Sequence, residues 1–118
     1  MAWNFDKVTK RAEEGEVFAT MPAATGLSME HRIPLQGEVC KFSHEPKAAY
    51  VLLSYTTDGH SLEVVALEKA LHKLWQESKG LEDAVEAWRK ALHADMGVDV
   101  YGELAATLSS GQVVTIRW

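Results

Sequence analysis

The chain has 118 residues, 47% apolar and 25% charged, the length and composition of one ordinary globular domain with a single core. Its 17 acids against 12 bases leave a net charge of −5, so it lacks the electrostatic attraction that supplies most non-specific nucleic-acid affinity. One cysteine, Cys40, cannot close an internal disulfide, and no apolar run reaches signal-peptide or membrane-spanning length. These features set the expectation of a cytoplasmic protein with no nucleic-acid and no membrane partner.

In chain order, Asn4 can cap a short helix from Phe5 to about Glu14, which Gly15 would end. Val17 to Met21 can form a short strand. Met21 to Gly37, with Pro22, Gly26, Pro34 and Gly37, is expected to be mostly loop, because proline removes a donor and glycine loosens the backbone. Glu38–Ser43 and Ala48–Thr56 read as strands joined by the turn-like His44-Glu45-Pro46-Lys47. Both faces of the second are largely apolar, which suits a central strand.

Two helical stripes follow. In Ser61–Gln76, Val64, Leu67, Ala70, Leu71, Leu74 and Trp75 recur at helical spacing, with Ser61 as a natural N-cap. In Leu81–Met96 the stripe is Leu81, Ala84, Val85, Trp88, Ala91, Leu92 and Met96, with Gly97 placed to stop it. The short link Ser78-Lys79-Gly80 predicts that the two helices pack as an antiparallel pair. A third short helix is expected from about Asp99 to Leu108, weakened by Gly102. A closing strand, Gln112–Trp118, should lie beside Ala48–Thr56. The sum is an α+β fold: a small antiparallel or mixed sheet of three to four strands with two long amphipathic helices packed on it.

Several groupings could carry chemistry. His31, Cys40 and His44 offer imidazole and thiolate, but no Cys-x-x-Cys pair accompanies them, so no metal is expected. Glu68 and His72, four apart, lie side by side on a helix flank. His93 occupies the matching flank of the next helix, where Glu86 and Lys90 form an i,i+4 pair. The turn around Thr57, Asp58, His60 and Ser61 joins a strand to an expected helix start, where free N–H groups can hold an anion. It lacks the repeated glycines and the lysine of a phosphate loop. No Gly-x-Ser-x-Gly elbow or cysteine-nucleophile signature occurs, and no cofactor is implied.

Four tryptophans are generous for this length, and tryptophan and arginine anchor interfaces. Trp75 and Trp88 belong to the core stripes. Trp3, Val65, Arg117 and Trp118 are the candidate partner or self-interface residues. The expected function is therefore a non-enzymatic binding protein acting on a protein partner, as adaptors and inhibitors do. The alternative is a small enzyme or small-molecule binder with its pocket at residues 57–61. A homodimer is expected if the final strand lies on a sheet edge.

Overall fold

The computed structural model describes residues 18–39, 44–96 and 100–118. Its elements are β1 (Thr20–Pro22), β2 (Ser28–Leu35), β3 (Ala48–Thr56), β4 (His60–Leu62), α1 (Val64–Glu77), α2 (Leu81–Met96), β5 (Tyr101–Thr107) and β6 (Val113–Arg117). The expected helix Phe5–Glu14, Trp3 and Cys40 lie outside the described residues. The fold is α+β, as the patterning predicts: two helices pack on antiparallel sheets, one of four strands in the order β2-β3-β5-β6 and one of two, β1-β4.

The cross-strand register lines up one apolar layer. Ile33 faces Val51, Val51 faces Leu104, and Leu104 faces Ile116, so one residue from each strand meets the helices. Leu67, Leu71, Trp75, Ala84, Val85, Trp88 and Leu92 cover that layer from the helix stripes. The helices pack on each other through stacked Trp75 and Trp88 rings, 5.8 Å between centroids. The indole N–H of Trp88 donates to the Leu71 carbonyl at 3.2 Å, so the largest core side chain is also polar-satisfied.

Five expectations are corrected. Within the supposed loop Met21–Gly37 lies the eight-residue strand β2, whose His31, Ile33 and Leu35 point inward while Glu30, Arg32 and Pro34 point outward. Period-two alternation outweighs the proline there, because Pro34 falls where its missing N–H would face the open edge of the sheet. The strand expected at Glu38–Ser43 is not seen at Glu38 and Val39. Gly37 turns the chain at φ 89°, and Val39 enters the core from outside the sheet, while 40–43 lie outside the described residues.

Ser61 does not cap the first helix. It sits in β4 opposite Met21, and the cap is Glu63, whose carboxylate accepts from Val65 N–H at 3.1 Å and Ala66 N–H at 2.6 Å. The helix expected at Asp99–Leu108 is strand β5; pairing on both sides overrides the helix-forming Glu103, Leu104, Ala105 and Ala106. The closing strand lies beside β5 rather than beside β3, which already has β2 and β5 as its neighbours.

Two further contacts hold the strand ends. The Glu45 carboxylate accepts from the Ser109 amide at 3.0 Å and from the Ser109 hydroxyl, tying the entrance of β3 to the β5–β6 turn. The Ser109 hydroxyl holds the Glu45 carboxyl below the ordinary carboxylate range.

Candidate functional site

Among the described residues, no strand pairs with the outer side of β6 in the main sheet. Gly102 and Trp118 exchange both backbone hydrogen bonds at 3.0 Å, which makes them a hydrogen-bonded antiparallel pair. Alternation from that pair turns the N–H and C=O groups of Ile116 and Val114 toward β5. The same alternation sends those of Val113, Thr115 and Arg117 away from the sheet, where no described strand meets them.

The two edges of the sheet differ in their shielding. On β2, the bond from Thr57 N–H to Leu27 C=O sets the alternation, so Ser28, Glu30, Arg32 and Pro34 face outward. Two charges and a proline blunt that edge. The sequence of β6 is Val-Val-Thr-Ile-Arg, rich in strand formers, with no proline and one charge. Even that charge is occupied: Arg117 Nε donates to Glu103 Oε1 at 2.7 Å within the same sheet.

Beside this edge, on the sheet face away from the helices, small side chains leave a shallow hollow of about 430 Å³. Ala48, Ala105, Thr107 and Thr115 form its bed, with Tyr50 on one side and Arg117 on the other. The Tyr50 ring carries the Arg32 guanidinium 4.2 Å from its centroid.

Trp118, directly after β6, turns toward the helices. Its indole lies on Gly102, where an added Cβ would come within 2.0 Å of a ring carbon. It also packs 6.3 Å from Trp88. Of the expected interface residues, Trp118 is therefore half-buried against the core, and Arg117 is exposed on the edge strand. Val65 is 55% exposed at the start of α1, remote in sequence from the other two, and Trp3 is outside the described residues.

The turn Thr57–Ser61 is arranged differently from its sequence expectation. It leads into β4, not into a helix, and the amides at the true helix start are occupied by Glu63. Thr57, 2% exposed, donates its hydroxyl to the Ala24 carbonyl at 2.5 Å and accepts from the Leu27 amide at 2.8 Å. It thus clasps residues 24–27 to the sheet. Ser61 is buried, while Asp58 and His60 are exposed, so the four side chains do not share one orientation.

The remaining candidates are also placed. His31 is buried on β2, stacked on Tyr55 and 3.0 Å from its hydroxyl. The Tyr55 oxygen in turn accepts from the Leu62 amide at 2.8 Å. The hydroxyl proton and a second lone pair of Tyr55 both remain available to His31 Nε2. Burial pushes the His31 pKa down and the Tyr55 pKa up. His44 pairs with Glu38 at 2.9 Å. His72 Nδ1 donates to the backbone carbonyl of Glu68 at 2.9 Å rather than to its carboxylate. Glu86 meets Arg89 at 3.5 Å in place of the expected Lys90. No group of three His, Cys, Asp or Glu among the described residues could hold a metal ion, and no described helix is long and apolar enough to cross a membrane.

Sequence reasoning missed the contrast between the two edges, because it depends on which strands are outermost. The Val-Val-Thr-Ile-Arg run itself was visible. No family model matches the chain, and no curated protein matches it either.

Proposed function

We propose that this protein is a non-enzymatic binding domain that takes an extended segment of a protein partner as an added strand on the β6 edge. The observation that carries this is an edge that no described strand covers, with the backbone groups of Val113, Thr115 and Arg117 directed outward and β2 blunted at the opposite end of the sheet. In strand addition, main-chain hydrogen bonds supply affinity and side-chain hollows supply selectivity. The hollow over Ala105 and Thr115 lies beside the edge, on the face where alternate residues of an added strand would project. Its floor of alanine and threonine suits a small or branched apolar side chain.

A cytoplasmic setting belongs to the same proposal and is supported by the single cysteine. A second copy of this chain is the competing occupant of the edge. Two copies each of net charge −5 repel one another, which favours a foreign segment.

The test is affinity capture from cells that make the protein, run in parallel with Thr115→Pro. That substitution removes an outward N–H while leaving the ladder bonds to β5 in place. The expected result is a partner held by the parent protein and lost by the folded variant. Equal capture by both would contradict the proposal. A dimer by light scattering that Thr115→Pro abolishes would assign the edge to a second copy and overturn the foreign-partner reading.

A further inference from the structure

The C-terminal half of α2, the start of β5 and Trp118 enclose a second cavity, a cleft of about 570 Å³, distinct from the β6 hollow. Its apolar lining is Leu92, Val100 and Trp118; around these stand Arg89, Lys90, His93 and Tyr101, the last 64% exposed. Glu86, the one acid among the described lining residues, contacts Arg89 at 3.5 Å. Lys90 and His93 have no ion-pair partner among the described residues. The described lining thus sets the side chains of Arg89, Lys90 and His93 against one partly compensated carboxylate.

The aromatic row ending in the cleft points the same way. Trp75, Trp88 and Trp118 follow one another from the core outward. The first two indole N–H groups donate at 3.2 Å to the carbonyls of Gly37 and Leu71. The third, on Trp118, is buried and has no acceptor among the described residues. Buried polar groups are ordinarily paired, so an orphan donor beside a cationic cleft is a specific feature. The ring that carries this donor lines the cleft.

We propose that this cleft binds a small aromatic carboxylate, a ligand with a planar apolar body and one anionic group. The ring would lie among Tyr101, Trp118, Val100 and Leu92. The carboxylate would face Lys90, Arg89 and His93, with an oxygen within reach of the Trp118 N–H. Such sites are mostly apolar with a few placed polar groups. The inference is independent of strand addition at β6.

The probe is 2-naphthoate, titrated at neutral pH against the full chain, with neutral 2-naphthol as the charge control. Binding is followed by tryptophan fluorescence and by the indole N–H resonances, with that of Trp118 assigned through Trp118→Phe. Saturable 2-naphthoate binding is expected, with a shift of the Trp118 resonance and affinity at least about tenfold above that of 2-naphthol. Arg89 and Lys90 are exposed, so the double variant Arg89→Gln, Lys90→Gln keeps its fold, and it should bind about tenfold or more weakly. Thr115→Pro should bind unchanged, which separates failure here from failure at the edge. No saturable binding, equal affinity for 2-naphthol, or an unaffected double variant would each overturn the proposal.

Discussion

Gly102 shows how much of a residue's role can lie outside its own element. In sequence it reads as a weak point in a helix, which is a correct statement of its propensity. In the fold it is the seat of the Trp118 indole, and a methyl group there would overlap the ring at 2.0 Å. Nothing near Gly102 in the chain announces a tryptophan 16 positions later, so only the β5–β6 pairing makes that role legible. Gly102→Ala should therefore destabilise the protein by about 1–3 kcal/mol, as overpacking does, although alanine is ordinarily harmless in a strand. Urea denaturation followed by far-UV circular dichroism checks this, and an unchanged midpoint would remove Trp118 from that seat.

His31 gives the pH dependence. Its sequence setting suggests a loop residue, whereas the fold buries it against Tyr55 with its pKa lowered by burial. The unfolded chain, with an ordinary value near 6.5, then binds a proton at a pH where the folded chain does not. Stability rises with pH wherever the unfolded state holds more protons. It should accordingly fall as pH drops below about 6.5 and level off once the folded-state pKa is passed. The loss of stability between about pH 7.5 and pH 5 should be smaller in His31→Gln than in the parent. An equal loss in both would place the sensitivity elsewhere.

Among the elements, the cleanest periodicities gave the cleanest boundaries. The α2 stripe was legible to the residue at Leu81–Met96, and β3 at Ala48–Thr56, because a long amphipathic pattern and a doubly apolar strand each have one good solution. By contrast, β5 misleads because Glu103, Leu104, Ala105 and Ala106 are helix formers whose strand conformation is imposed by β3 and β6. For the same reason the edge character of β6 could be suspected but not compared with β2. The two sides of β6 should respond differently to proline. Val114→Pro removes an N–H directed at β5 and should be clearly destabilising, because a ladder hydrogen bond is lost. Thr115→Pro removes one directed at solvent and should cost distinctly less. Equal losses in the two variants would mean that the alternation along β6 is misassigned.

One core of described residues joins the sheet to both helices, and Trp88 is its hub. That ring stacks on Trp75, packs on Trp118, and its indole N–H bonds to Leu71. Trp88→Ala should cost about 3–5 kcal/mol, seen as a fall in the denaturation midpoint. A change too small to measure would contradict the packing of the helix pair. The helix stripes made this core legible early. The candidate site was less so, because both the open edge and the cleft depend on strand order, and strand order follows from pairings between distant segments.

Among the described residues, β6 pairs through its backbone on the β5 side alone. Amide hydrogen exchange of the purified protein, resolved residue by residue, tests this most directly. The amides of Val114, Ile116 and Trp118, which face β5, should be protected, and those of Val113, Thr115 and Arg117 should exchange rapidly. Addition of a captured partner should then slow the second set. Uniform protection along β6 in the free protein, or a partner that leaves Val113, Thr115 and Arg117 fast, would contradict the account.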